Sequence, residues 1–193
     1  MIIYYTDKYT GSRKESRRLL ERSLGVHTGD EELAKTLIGA LKKGEHGKPY
    51  IDGFSCFSIS HTGSFWAVLI ADRECGLDIQ AGRKCDMRAI AKRWFAPEDA
   101  EAISADSESA ADEFFRVWTR REALAKALGG TVYDTDLPAV LPGEADISGR
   151  HYKLADIAFP GSCSRDTVQI YAAVCIEGNS SGLQPEIRAL LHE

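Results

Sequence analysis

Apolar residues recur along the chain at two spacings, one typical of amphipathic helices and the other of short strands. Glycine or proline follows several of the helical segments and marks where they end. The pattern predicts helices over Arg13–Leu24, Glu31–Lys42, Ala89–Phe95, Pro97–Ile103 and Asp112–Leu128. It predicts strands over Met1–Asp7, Phe54–Ser60, Phe65–Ala71, Gly76–Gln80, Tyr152–Phe159 and Thr167–Ile176. Because strands and helices do not alternate regularly, a mixed α+β fold is favoured over a doubly wound parallel sheet.

Composition excludes several classes of protein. The 193 residues suffice for one domain or two small halves with a buried core. A net charge of −5 argues against a general nucleic-acid surface, and no apolar run approaches the roughly 20 residues that cross a bilayer. The chain start shows no secretory-signal pattern. Five cysteines without a Cys-x-x-Cys pair argue against a disulfide framework or a zinc site. We therefore expect a cytoplasmic protein without membrane or nucleic-acid partners.

The first candidate for chemistry is a carboxylate inside a strand. Alternate side chains of a strand share a face, so Leu77 and Ile79 are expected to face the core. Asp78 and Gln80 then lie together on the other face. Considered alone, Asp78 is well explained as an exposed strand residue near a turn.

A second carboxylate lies at the edge of the apolar stripe of the helix predicted over 112–128. Glu122 precedes Lys126 by four residues, and an ordinary surface pair explains that spacing. However, Trp118, Arg120 and Arg121 add a dense mixture of aromatic and cationic groups. Carboxylate and phosphate oxygens are ligands that Mg²⁺ prefers, and Mg²⁺ usually retains several waters. The two carboxylates with nearby cations therefore favour a magnesium ion that holds a phosphate ester.

The tetrapeptide Ser60-His61-Thr62-Gly63 follows a predicted strand and is expected to form a turn. Hydroxyls, an imidazole and turn amides can together bind a phosphate. A lone histidine, however, is more often a surface residue. The sequence offers no convincing aspartate partner for a Ser-His triad, so hydrolysis by that route is disfavoured.

Five short motifs occur in an order that resembles the 4′-phosphopantetheinyl transferases. The resemblance spans residues 47 to 130 and is closest to the single-chain, surfactin-synthetase-activating type. The motifs are Gly47-Lys48-Pro49, Phe57-Ser58-Ile59-Ser60-His61-Thr62-Gly63, Gly76-Leu77-Asp78-Ile79, Trp94-Phe95-Ala96-Pro97-Glu98 and Trp118-Thr119-Arg120-Arg121-Glu122-Ala123-Leu124-Ala125-Lys126.

The resemblance implies a pseudo-twofold pair of similar α+β halves with the active site between them, here residues 1–85 and 86–193. It implies transfer of phosphopantetheine from coenzyme A to a serine of an apo acyl or peptidyl carrier protein, with release of 3′,5′-ADP. Asp78 and Glu122 would be the catalytic pair and the Mg²⁺ ligands. The residues that would contact coenzyme A are Lys48, Pro49, Ser60, His61 and Lys126, with Arg13, Arg17 or Arg18 at the 3′-phosphate.

Two departures from the family pattern leave alternatives open. Gln80 stands where many relatives have glutamate, and Arg121 replaces the more usual lysine before the catalytic glutamate. An amide ligates Mg²⁺ weakly, so water is expected in that position. The chain could instead be a coenzyme A-binding regulatory homologue without turnover, or a Mg²⁺-dependent phosphoesterase that needs no carrier. With two halves in one chain, a monomer is expected.

A basic segment over residues 83–93 is a candidate docking site. Its cations lie beside Met87, Ile90 and Trp94, although a solvated helix face is the ordinary explanation for such charges. The resemblance implies a carrier that is acidic around its modified serine, so we expect this segment to bind the carrier. The cations are Arg83, Lys84, Arg88, Lys92 and Arg93.

Overall fold

The computed structural model describes residues 1–44, 46–103, 109–133, 136–160, 168–179 and 183–190. Its helices are α1 (Arg13–Thr28), α2 (Glu31–Gly39), α3 (Met87–Trp94), α4 (Pro97–Ala102) and α5 (Ala110–Leu128). Its strands are β1 (Ile2–Thr6), β2 (Lys42–Lys43), β3 (Pro49–Tyr50), β4 (Cys56–Thr62), β5 (Phe65–Ala71), β6 (Cys75–Ala81), β7 (Glu144–Ile147), β8 (Arg150–Asp156), β9 (Ile170–Glu177) and β10 (Glu186–Ala189).

Two four-stranded sheets form the centre of the molecule. The first has the order β10-β1-β5-β4, and the second has the order β6-β9-β8-β7. The pairing is antiparallel except between β1 and β10, while β2 and β3 form a separate short hairpin. Consequently β4 and β6 are edge strands of different sheets.

Helices cover the outer faces of the two sheets, giving four layers. One core lies between the first sheet and α1 and α2, where Leu20, Leu24 and Trp66 are fully buried. A second core lies between the sheets and contains Leu69 and Leu77. The third packs α5, with α3 and α4, against the second sheet. Such burial of apolar surface stabilises the fold at about 25 cal/mol per Å².

The two edge strands β4 and β6 are joined by side-chain hydroxyls. Ser58 Oγ accepts a hydrogen bond from the Leu77 N–H at 3.0 Å, and Ser60 Oγ accepts from the Ile79 N–H at 3.0 Å. Thr62 Oγ1 likewise accepts from the N–H of residue 81 at 3.1 Å. An edge strand leaves every second N–H without a strand partner, and buried N–H groups need acceptors. The three hydroxyls, here called the hydroxyl ladder, supply them.

The ladder corrects one prediction. Residues 60–62 were expected to begin a turn, but β4 continues through Thr62 and pairs with Phe65 of β5. The turn therefore lies at residues 63–64, where Gly63 has a φ of 53° that favours glycine. The expected cluster of turn amides at Ser60 and His61 is wrong because those residues are held in a strand.

The mixed α+β class is confirmed, whereas the pseudo-twofold relation between the halves stays a prediction. The division at residue 85 also stays a prediction, although β6 pairs with β9 from the other proposed half. Sequence pattern missed β2, β3, β7 and β10, which have two to four residues each. No helix in the described ranges is long and apolar enough to cross a membrane. The described cysteines are free thiols, and Cys163 lies outside the described residues.

Candidate active site

Helix α5 approaches β6 so closely that only glycine fits between them. A Cβ placed on Gly76 would lie 1.8 Å from the carbonyl oxygen of Ala123 and 2.8 Å from the backbone nitrogen of Ala127. Gly76 and Asp78 share the strand face that meets α5, because alternate residues of a strand point the same way. Glu122 and Lys126 each precede one of the two contacted helix residues. This contact therefore brings the two motifs together.

Asp78 is almost fully buried, with 6% of its surface exposed, so the explanation as an exposed strand residue is wrong. Its Oδ1 accepts hydrogen bonds from the Ser60 hydroxyl at 3.0 Å and from Lys126 Nζ at 2.7 Å. Its Oδ2 is buried without a hydrogen-bond partner. A buried carboxylate oxygen without a partner is costly, and a ligand with positive charge would relieve that cost.

Glu122 is half-buried and carries a perturbed carboxyl. Burial raises the pKa of this carboxyl to about 7; the nearby Asp78 carboxylate contributes to the rise, whereas Lys126 opposes it. Within the described part of the chain, no group donates a hydrogen bond to this carboxylate. The expected surface pair with Lys126 is not formed, because that lysine is drawn to Asp78. The carboxylates of Asp78 and Glu122 therefore lie near each other in a region with little access to solvent.

A cavity of about 370 Å³ opens above these groups. Glu122 and Lys126 form one wall and Lys48 and Pro49 form another. The loop after α5 closes a third side, because Gly129 has a φ of 76° and turns the chain back after the helix. Three further lining residues, Gly47, Ser58 and Ile59, belong to the motifs but were not assigned to the site. The lining residues that sequence reasoning missed altogether are His46, Gly129, Gly130, Thr131, Val132 and Tyr133. The adjacent Gly129-Gly130 pair is the available signal in the sequence, although two glycines after a helix are ordinarily explained as the helix end.

Comparison with known proteins agrees with this arrangement. The family model of the 4′-phosphopantetheinyl transferase superfamily matches residues 74–153, which include both carboxylates. Over these residues the chain is similar to members of that superfamily. The 4′-phosphopantetheinyl transferase AcpT of Salmonella typhimurium is 36% identical over 108 residues, covering 51% of this chain and 56% of that protein. AcpT of Escherichia coli K12 is 35% identical over 128 residues, covering 64% and 62% respectively.

A third relative, the 4′-phosphopantetheinyl transferase gsp of Aneurinibacillus migulanus, is 30% identical over 94 residues, covering 48% of this chain and 39% of that protein. The chain thus spans little more than half the length of the first of these curated relatives.

Two lysines expected to contact coenzyme A line the cavity but are occupied by protein groups. Lys126 Nζ also donates to Ser60 Oγ at 3.2 Å and to the Leu77 carbonyl at 3.0 Å. Lys48 Nζ donates to the Glu74 carboxylate at 3.1 Å and, more weakly, to two backbone carbonyls. Their ammonium groups therefore hold β6 and the end of α5 together in this structure, and a direct contact with the transferase substrate stays a prediction.

The other residues that the transferase resemblance implicated lie outside the cavity lining. His61 is exposed and packs its ring on Tyr9, with 5.1 Å between ring centroids. The Tyr9 hydroxyl donates to the Ser12 carbonyl, which places His61 near the start of α1 and hence near Arg13. Arg17 instead donates to the carbonyl of residue 38 at 2.7 Å, towards α2. A 3′-phosphate site at these residues stays a prediction.

The arginines beside Glu122 are structural, which corrects the idea of a cationic cluster around it. Arg120 is 5% exposed and donates two hydrogen bonds to the Asp156 carboxylate, at 2.7 and 2.9 Å. It also donates to the carbonyls of residues 140 and 141. Arg121 is fully buried, donates to the Leu137 carbonyl at 3.2 Å, and has its pKa lowered by burial. Both guanidinium groups bind other elements to α5.

The residues present fit a magnesium ion that keeps much of its water. No set of three or more histidine, cysteine, aspartate or glutamate side chains among the described residues forms a metal-binding group. Asp78 and Glu122 nevertheless offer two oxygen-bearing groups beside a cavity, one with an unpartnered buried oxygen. Gln80 offers no third acid and donates to the carbonyl of residue 81. Two carboxylates with waters and substrate phosphates are a usual set of Mg²⁺ ligands.

Proposed function

We propose that this protein transfers the 4′-phosphopantetheine arm of coenzyme A to a serine hydroxyl of an apo carrier protein and releases 3′,5′-ADP. The observation that carries this proposal is the proximity of Asp78 to Glu122, which lines the cavity: one carboxylate has an unpartnered buried oxygen and the other has a raised pKa. Relatives named as 4′-phosphopantetheinyl transferases support the same reaction.

In this reaction the serine oxygen attacks the β-phosphorus of coenzyme A, and the bond from that phosphorus to the bridging oxygen of 3′,5′-ADP breaks. Glu122, directly or through a water, accepts the proton that the serine hydroxyl loses. In the metal-free protein the raised pKa of this carboxyl means that it binds a proton more readily than an ordinary glutamate does. Lys126 and Lys48 orient the phosphates at the cavity wall, since phosphoryl transfer depends chiefly on position and charge.

We propose Asp78 and Glu122 as the residues that hold Mg²⁺. When bound, the ion supplies neutralisation of negative charge on the pyrophosphate.

The decisive test is the intact mass of several apo carriers after incubation with the protein, coenzyme A and Mg²⁺. A gain of one phosphopantetheine unit supports the proposal and ranks the carriers. Binding of coenzyme A without any gain in mass supports a regulatory homologue instead. Free phosphopantetheine released without a carrier indicates a phosphoesterase.

The variant Glu122→Gln tests the proton acceptor. We expect kcat to fall by about 10²–10⁴-fold, because an amide cannot accept the serine proton. Affinity for coenzyme A, measured by calorimetry, should change little. The exposed Glu101→Gln serves as the matched control and should transfer normally. Comparable kcat in wild type and Glu122→Gln would remove Glu122 from this role.

We further propose that α3 docks the carrier. Lys92 and Arg93 are exposed on this helix, and the Arg93 guanidinium lies 4.8 Å from the Trp94 ring. Trp94 in turn packs edge-on against Tyr133, which is 58% exposed at the cavity. A basic, aromatic surface thus runs from α3 to the mouth of the cavity, which suits an acidic partner that must insert a serine.

Charge reversal tests this surface. Arg88→Glu with Lys92→Glu should raise KM for the carrier and leave KM for coenzyme A unchanged. The control is Lys35→Glu with Arg188→Glu, which makes the same change in net charge at exposed positions on α2 and β10. An equal rise in carrier KM in both double variants would mean that only overall charge matters, and no rise would refute the docking surface.

The finer assignments follow from the same proposal. We propose a monomer of the single-chain, surfactin-synthetase-activating type that functions in the cytoplasm. The free thiols of Cys56, Cys75, Cys85 and Cys175 suit a reducing compartment.

A further inference from the structure

The hydroxyl ladder between β4 and β6 has one member that differs from the other two. Ser58 Oγ and Thr62 Oγ1 each accept one N–H from β6, whereas Ser60 Oγ makes three hydrogen bonds. It accepts from the N–H of residue 79 and from Lys126 Nζ, and it donates to Asp78 Oδ1. Ser60 therefore connects the joint between the sheets to the buried Asp78 carboxylate.

A hydroxyl has one donor and two acceptor positions. All three positions of Ser60 are used by protein groups, and Ser60 itself is 6% exposed. A phosphate oxygen accepts hydrogen bonds but cannot donate one when ionised, so it could bind Ser60 only by displacing Asp78 from the hydroxyl proton. The single proton of this hydroxyl therefore cannot hold Asp78 and a phosphate oxygen at the same time.

These hydrogen bonds fix the orientation of the Asp78 carboxylate. Ser60 and Lys126 both bind Oδ1, at 3.0 and 2.7 Å, and neither binds Oδ2. The backbone N–H of residue 79 anchors the Ser60 hydroxyl in turn, so this orientation is tied to the strand rather than to a flexible side chain. Oδ2 is thereby left buried and without a hydrogen-bond partner.

We propose that Ser60 is a positioning residue: it orients the Asp78 carboxylate so that Oδ2 can bind a divalent cation. This inference rests on the proposed function for its relevance to transfer, but the geometry of Asp78 can be tested without transfer. Groups that orient a metal ligand typically change metal affinity or activity by about 10–100-fold when removed.

The test compares Ser60→Ala with Thr62→Val. Valine has nearly the same shape as threonine, so the second variant removes the hydroxyl with little change in packing. Each variant removes one ladder hydroxyl and leaves one β6 N–H without its acceptor, but only the first removes a contact to Asp78. Mn²⁺ affinity is measured by calorimetry without coenzyme A. We expect Ser60→Ala to weaken it by at least about tenfold, Thr62→Val to leave it unchanged, and Ser60→Thr to restore it.

Crystal structures of the two variants provide a second measurement that needs neither metal nor activity. The Asp78 carboxylate should rotate or become disordered in Ser60→Ala and keep its wild-type rotamer in Thr62→Val. Where transfer is observed, Ser60→Ala should lower kcat without raising KM for coenzyme A. An unmoved Asp78, equal metal affinities in the two variants, or a rise confined to coenzyme A KM would overturn the inference.

These measurements separate the two proposals. A wild-type protein that modifies no carrier refutes the transferase proposal, yet Mn²⁺ affinity and the Asp78 rotamer still decide the role of Ser60. Conversely, normal transfer by Ser60→Ala with an unmoved Asp78 refutes the positioning role and leaves the transferase proposal intact.

Discussion

Replacement of Gly76 by alanine should disrupt the contact between β6 and α5. The added Cβ would lie 1.8 Å from the Ala123 carbonyl oxygen and 2.8 Å from two further backbone atoms of α5. Non-bonded heavy atoms rest about 3.5–4.0 Å apart, so the strand and helix would have to separate by roughly 1.5 Å or more. A rotamer change cannot relieve the clash, because the contacted atoms belong to the helix backbone.

The loss of stability should therefore reach the upper end of the range seen when a side chain is forced into a packed core. We expect the free energy of unfolding to fall by about 3 kcal/mol. For a chain of this size that corresponds to a melting temperature lower by about 6–12 °C. The separation also moves Glu122 relative to Asp78, and misplacement by about 1 Å can cost 10²-fold in rate.

Chemical denaturation with both proteins measured at equal concentration gives the change in stability, and kcat is measured on the folded fraction. Gly39→Ala is the matched control, since that glycine lies at the end of α2 with nothing within 4 Å of an added Cβ. It should be neutral or slightly stabilising. A Gly76→Ala protein as stable and active as wild type would refute the close approach and the site built on it.

Two further predictions separate structural from catalytic charges. Arg120→Met should lower the free energy of unfolding by about 2–3 kcal/mol, because two carbonyls lose this donor and Asp156 keeps only the hydrogen bond from Arg116, while kcat per folded molecule stays unchanged. Weaker coenzyme A binding at unchanged stability would contradict that assignment. Glu122 should make the metal-free protein less stable as the pH rises from about 4.5 to about 7, since its folded-state pKa is raised and the native state binds more protons in this window. The loss should be about 1–3 kcal/mol for a partly solvated group, and Glu122→Gln should abolish it; an identical pH profile in that variant would assign the slope to other groups.

Strand alternation predicted correctly which side chains of β6 face the sheet core. Leu77 and Ile79 are buried between the sheets, and Asp78 lies on the opposite face. The burial of Asp78 could not be predicted from that segment, because it depends on α5 covering the strand. Gly76 permits this approach, but a glycine inside a strand has several explanations in a sequence.

Arg120 and Arg121 show that adjacency in sequence does not predict which residues share a site. Arg120 and Arg121 adjoin Glu122 in sequence, and that adjacency suggested a shared phosphate site. Successive residues of a helix point about 100° apart, so neighbours in sequence do not share a face. Because α5 is packed on several sides, Arg120 and Arg121 reach other elements while Glu122 reaches the cavity. The partner of Arg120, Asp156, lies 36 positions away.

The alternating hydroxyls of β4 are visible in the sequence as Ser58-x-Ser60-x-Thr62, but their acceptor role depends on β6 being the edge of another sheet. This arrangement links the fold to the proposed chemistry. The hydroxyl ladder fixes the position of β6 relative to β4 of the first sheet, and Gly76 fixes the distance between β6 and α5. Asp78 lies on β6, so both contacts determine its position. Substitutions that change either contact should therefore affect stability and catalysis together, whereas Arg120 stabilises α5 from another side and should affect stability alone.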